Sequence, residues 1–200
     1  MEKYKGPSIS RCGLSIKGRI LAVDDSPFER GKDADTFLVG IMFRDLVIEL
    51  SMKERISVDG DDSTEALIRM VRSPKLREEV RVVMSHGTTF AGLNVVDVSR
   101  FYEETGIPLI AVTSKVPTNE IERAIVSAGM IEKLEIVRRN PPYNPLRTPK
   151  GVCFYSTIGM SGDEAERVIL RYIVESKVPE QLRIVDIVSR LLAGCRYQVE

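Results

Sequence analysis

The chain of 200 residues has no tryptophan, one histidine and three cysteines. With a single imidazole, at His86, any histidine chemistry falls to that residue. Cys12, Cys153 and Cys195 are far apart, odd in number and free of any CxxC spacing. That pattern excludes a disulfide framework and fits reduced thiols. No apolar run approaches the roughly 18 residues of a membrane span, and the first residues do not read as a signal peptide. A soluble, cytoplasmic protein is the expectation, with no membrane partner. Charge of one sign is also lacking, because 29 basic residues balance 29 acidic ones. No global basic field therefore announces a nucleic-acid binder. No internal repeat, low-complexity tract or linker divides the chain, so residues 1–200 read as a single domain.

The charges that are present are unevenly spread. Residues 1–20 carry Lys3, Lys5, Arg11, Lys17 and Arg19 against Glu2 alone. The proline-rich stretch RRNPPYNPLRTPK (138–150) holds Arg138, Arg139, Arg147 and Lys150 with no acid, and reads as a basic loop. Acids gather in VDGDDSTE as Asp59, Asp61, Asp62 and Glu65. Separate basic and acidic regions suit a polyanion held around a metal; ordinary solvated loops would look the same.

Hydrophobic patterning supplies the elements. GRILAVDDSPF (18–28) is an apolar run ending in acids and proline, hence a strand with a sharp exit. DTFLVGIMFR (35–44) and LVIELSMKERI (46–56) form a hairpin by their short gap. Past Gly60 the period becomes helical at Ala66, Leu67, Met70 and Val71, with Asp62 and Glu65 at capping-box spacing. Then follow a strand at 80–85, a helix at 94–106 closed by Gly106, a strand at 107–114 and a helix at 118–129. A strand at 151–157, a helix at 161–176 with a second box at Ser161 and Glu164, and a helix at 179–194 led by Pro179 complete the chain. Three antiparallel strands followed by alternating helices and strands imply a mixed α/β sheet covered by helices.

In such a sheet, ligands gather at the carboxyl ends of the parallel strands. Asp24 (or Asp25) closes the first strand there, Glu65 opens the first helix and His86 follows the fourth strand. Carboxylates suit hard divalent cations, and paired metals stabilise both oxygens of a phosphodiester displacement. The bland alternatives are concrete. Asp24 and Asp25 also suit the turn in DDSPF, Glu65 its capping box, and Asn94 the N-cap of the next helix. His86 could bond a backbone group and stabilise its turn, and Lys115 could be a solvated side chain before Pro117.

This arrangement resembles the ribonuclease H-like plan, and the motifs resemble endonuclease V. AVDDSPF is similar to the first-strand signature of that enzyme, with Asp24 on its aspartate. HGTTFAGLNVVD resembles the segment after its fourth strand, with His86 where an aspartate is usual. IAVTSK resembles the strand ending in its active-site lysine, here Lys115, and VPEQLRIVD its closing pattern. VDDSPF, VDGDDSTE, MSHGTTFAGLN and PEQLR look closer still to an uncharacterised archaeal family related to endonuclease V, over residues 18–194.

The resemblance implies a metal-dependent nuclease acting on DNA or RNA. Asp24 and Glu65 would hold magnesium or manganese, His86 would complete the shell or assist proton transfer, and Lys115 would stabilise phosphate charge. Arg138, Arg139, Arg147 and Lys150 would contact the nucleic-acid backbone. An imidazole ligand also admits zinc. There are departures. His86 replaces an aspartate, the family enzyme's late-loop histidine is Met160 or a neighbour, and its Tyr-Pro-Gly-rich probe has no counterpart before Glu65. These support a second reading, a non-catalytic nucleic-acid or protein-binding module on the same scaffold. Binding of a nucleotide or other small anion is a third.

Overall fold

The computed structural model describes residues 19–76, 79–115 and 119–194. The basic arm before Arg19, Cys12 and Cys195 lie outside the described residues. Strand β1 (Arg19–Asp25) is buried from Ile20 to Val23. Leu21 and Val23 enter one apolar cluster while Ile20 and Ala22 enter another. A strand apolar on both faces belongs in the middle of a covered sheet, and β1 lies there. Strands β2 (Asp35–Arg44) and β3 (Val47–Ser57) form the expected antiparallel hairpin.

Helix α1 (Ser63–Arg72) buries Ala66, Leu67, Met70 and Val71, the stripe its spacing predicts. Strand β4 (Val80–Ser85) runs parallel to β1. A two-strand hairpin follows, β5 (Thr89–Phe90) with β6 (Asn94–Val95). After helix α2 (Val98–Thr105), strand β7 (Leu109–Thr113) pairs parallel with β4. Helices α3 (Glu120–Ser127) and α4 (Lys133–Arg139) precede the antiparallel strands β8 (Asn144–Thr148) and β9 (Gly151–Ile158). Helices α5 (Gly162–Arg171) and α6 (Glu180–Gly194) end the described chain.

The seven-stranded sheet runs β3-β2-β1-β4-β7-β9-β8. On one face, Leu67, Met70 and Phe101 of α1 and α2 pack on Leu21, Val23 and Val83. On the other, Val168, Ile169, Leu182 and Val185 of α5 and α6 pack on Ile20, Ala22 and Ile110. Among the described residues no helix is long and apolar enough to cross a membrane. The expected mixed α/β sheet is present. So are the glycine stop of α2, whose Gly106 amide donates to the Tyr102 carbonyl, and the Ser161–Glu164 capping box of α5.

Four local expectations are corrected. Asp62 does not form a capping box with Glu65. Its carboxylate accepts from the Ser57 amide (3.0 Å), the Ser57 hydroxyl (2.8 Å) and the Asn94 side-chain amide (2.7 Å). Asn94 is therefore not an N-cap. It joins β6 to α1, and α2 starts only at Val98, capped by Asp97, which accepts from the Arg100 amide at 3.0 Å. The α5 helix stops at Arg171 rather than running to 176. Residues 138–150 are not one loop, since they include the end of α4 and the whole of β8. Leu146 is buried there against Cys153, and Pro145 is accommodated because β8 is an edge strand.

Candidate active site

Strand register brings Asp24 to the carboxyl end of β1, and the His86 amide donates to the Val23 carbonyl (3.3 Å) just past β4. The two side chains then meet, with His86 Nδ1 3.3 Å from Asp24 Oδ2. Asp24 is 6% exposed, so this carboxylate is spent on the imidazole rather than on solvent. The turn that follows is secured instead by Ser26. Its Oγ is 2.9 Å from the Thr36 hydroxyl and accepts from the Phe37 amide at 3.2 Å.

The next acid along β1 takes a different partner. Asp25 accepts from the Ala91 amide at 2.8 Å, in the loop joining β5 to β6. Burial, reinforced by the Asp24 charge, pushes the Asp25 carboxyl up to about 6 despite that hydrogen bond. The Asp24 hydrogen bond raises the His86 imidazole above its ordinary value against the opposing effect of burial, and the charges of Asp24, Asp186 and Asp25 add to the rise.

A cleft of 340 Å³ opens over this pair, lined by Asp24, Asp25, Pro27, His86, Asp186, Ser189 and Arg190. The last three come from α6, which packs along the sheet at β1 and β2. Asp186 Oδ1 accepts from Arg190 Nε at 2.9 Å, and the buried Ser189 hydroxyl donates to the Asp186 carbonyl at 2.9 Å. Sequence reasoning assigns Asp186 no role, although it ends the PEQLRIVD pattern; that terminal acid is the signal that points to it.

Glu65 is not brought to this cleft. It pairs with Arg100, which also binds Glu104 at 2.9 Å, on the surface between α1 and α2. Lys115 is exposed beyond β7, at the same end of the sheet as Asp24 and His86. Among the described residues no three His, Cys, Asp or Glu side chains converge closely enough to hold a metal by themselves. Met160 does not stand in for a site histidine. Strand β9 runs antiparallel to β7, with Ile158 opposite Leu109, so its exit lies at the far end of the sheet. There Met160 lines a separate pocket with Ile20, Pro108 and Tyr172.

The basic residues of 138–150 divide into two pairs. Arg138 faces Glu122 at 3.4 Å and Arg139 pairs with Asp97. Among the described residues Arg147 and Lys150 make no ion pair. They lie on and just after edge strand β8, roughly 19 Å from β1 by four strand spacings.

The acidic VDGDDSTE motif is structural in its contacts. Asp59 accepts from the Leu93 amide (2.8 Å) and Arg30 (3.1 Å), and Asp62 holds Ser57 and Asn94. Gly92 sits at φ +86, where a Cβ would come 2.3 Å from Asp59 Oδ1, so this latch needs glycine. Lys133 of α4 is 2% exposed and donates to the carbonyls of Asp59 (2.7 Å), Gly60 (2.6 Å) and Leu93 (3.0 Å). These bonds fix the β5–β6 loop that carries the Ala91 amide to Asp25.

The sheet order and helix placement define an endonuclease V-like α/β protein. Endonuclease V of Ciona intestinalis, solved with a 24mer DNA containing an inosine followed by a ribo-adenosine, superposes at a TM-score of 0.61 and 12% identity, covering 93% of this chain and 90% of that one. Human endonuclease V gives 0.58 at 18% identity, covering 91% and 87%. At these identities the likeness is one of fold. The chain belongs to the Endonuclease dU family, whose model matches residues 17–193. A UPF0215 protein of Thermoplasma volcanium is 35% identical over 177 residues, 87% of this chain and 89% of its own length. A structure of a protein of unknown function from Archaeoglobus fulgidus reaches a TM-score of 0.78 at 30% identity, covering 88% of this chain and 98% of that one. Both the resemblance to endonuclease V and the closer one to its archaeal relatives hold.

Proposed function

We propose that this chain is a metal-dependent endonuclease that hydrolyses a phosphodiester bond in deoxyuridine-containing DNA, with its reaction centre in the Asp24–His86–Asp186 cleft. The observation that carries it is the 3.3 Å approach of Asp24 and His86 at the carboxyl end of the parallel strands. The substrate class rests on the family's description, Endonuclease dU, and the DNA partner on the inosine-containing complex of a fold neighbour.

Magnesium or manganese fits the donor set. Both take hard oxygens, and magnesium is commonly held by one or two carboxylates while water and phosphate oxygens fill the remaining positions. Asp24 and Asp186 would hold it, with zinc the alternative that an imidazole donor admits. A bound cation would supply Lewis-acid stabilisation of charge developing on the phosphoryl group. His86 would hold a proton on Nδ1 toward Asp24 and offer Nε2 for proton transfer to the leaving oxygen, with the Asp24 carboxylate favouring the charged ring. Lys115, Arg147 and Lys150 steady the strand's phosphates outside the cleft.

The test is cleavage of matched duplexes carrying one deoxyuridine, one deoxyinosine or neither, in magnesium, manganese or EDTA. Scission at or beside deoxyuridine that needs the cation and vanishes in Asp24→Asn supports the proposal. No scission of any duplex, or scission indifferent to Asp24→Asn, counts against it.

A further inference from the structure

The cleft holds three carboxylates, Asp24, Asp25 and Asp186, against His86 and Arg190. Such a site repels a polyanion unless donors at its rim offset the acids. His86 is engaged by Asp24, leaving Arg190 as the outermost cation, with 69% of its side chain exposed. Asp186 and Arg190 are four residues apart on α6, so they share one helix face a turn apart.

The bond between them leaves Arg190 partly unused. Asp186 takes only Nε, at 2.9 Å. Among the described residues the two terminal guanidinium nitrogens have no hydrogen-bond partner. A guanidinium anchored through Nε presents its other donors as a planar fork, the geometry that matches two oxygens of one phosphate. Anchoring also lowers the entropy lost on binding. Asp186 is steadied in turn by the helix, since the buried Ser189 hydroxyl donates to its carbonyl.

We propose that Arg190 is a substrate-binding residue of the cleft, its terminal nitrogens gripping a phosphodiester of the nucleic-acid strand while Nε stays on Asp186. The nucleic-acid identity of the ligand rests on the endonuclease reading; the anion-gripping geometry does not.

The test measures binding of the untagged full-length chain to a fluorescent deoxyuridine-containing oligonucleotide in EDTA across a salt series, with thermal midpoints as a folding control. Arg190→Gln is expected to weaken binding about tenfold, as for a lost charge-assisted bond. It should also reduce the slope of log affinity against log salt by about one. Arg190→Lys should keep the slope but recover only part of the affinity, because an ammonium cannot reproduce the fork. Unchanged affinity and slope in Arg190→Gln would overturn the inference, even if the wild type cuts DNA. Arg190-dependent binding without any cleavage would sustain it while removing the endonuclease reading. A wild-type chain that does not bind the oligonucleotide would also overturn it.

Discussion

Asp24 and Asp25, adjacent in sequence, leave β1 toward different partners: Asp24 meets the His86 imidazole at 3.3 Å, and Asp25 takes the Ala91 amide at 2.8 Å. The first contact belongs to the proposed chemistry. The second ties the strand end to the β5–β6 loop, while burial and the Asp24 charge raise the carboxyl to about 6 at a cost to its ionised form.

That cost sets a stability profile. A carboxyl raised in the folded state stabilises the fold below its unfolded value, and the contribution is lost as pH rises through the folded one. The Asp25 share of stability should therefore decline between about pH 4 and pH 6. Asp25→Asn keeps an oxygen for the Ala91 amide and removes the charge. Relative to the wild type's, its thermal midpoint should rise between about pH 4 and pH 6. Parallel curves would contradict the assignment.

As the chain's one histidine, His86 gives a single imidazole signal by NMR. Asp24 raises its pKa, so the pair stabilises the fold below the ordinary value near 6.5 and that contribution is lost as pH rises through the folded value. Titration of the ring C2 proton should give a midpoint above 6.5 in the wild type and a lower one in Asp24→Asn. Equal midpoints would mean that the two groups do not interact.

Glu65 and Asp24 should separate in activity. Asp24→Asn is expected to slow cleavage by about 100-fold or more, the scale of a lost electrostatic contact in a reaction centre. Glu65 is bound to Arg100 outside the cleft, so Glu65→Gln should cost less than about fivefold on the same scale. Single-turnover cleavage rates compare them directly, and equal losses would return Glu65 to the site.

Lys133 should behave as a structural clamp. Lys133→Met strands three carbonyls of the β3–α1 and β5–β6 connections. A cost of about 1–3 kcal/mol is expected, as for buried carbonyls left without a donor. Urea denaturation reads it, and an unchanged midpoint would show that water replaces the ammonium.

What could be read in advance was what local chemistry dictates. RILAVDD is apolar on both sides and so takes a central position, Gly106 stops α2, and Ser161 with Glu164 caps α5. The approach of Asp24 and His86 was also legible, because both stand at the carboxyl ends of parallel strands. What stayed hidden depended on partners distant along the chain. Glu65 fits a capping box by spacing, but Arg100, 35 positions on, takes it. Asn94 fits an N-cap, but it is drawn to Ser57, Asp62 and Ser63. Strand β8 carries a proline and only one buried side chain, Leu146, so periodicity could not reveal it. Asp186 reaches the cleft only because α6 lies along β1, a packing choice that spacing does not encode.

The most direct measurement is the effect of manganese on the His86 ring signal of the untagged protein. Paramagnetic broadening falls off steeply with distance, and one histidine leaves no ambiguity of assignment. Substoichiometric manganese should erase the His86 C2 proton signal in the wild type and leave it sharp in the Asp24→Asn, Asp186→Asn double variant. A wild-type signal that stays sharp while manganese supports cleavage would place the cation elsewhere and contradict the cleft as the reaction centre.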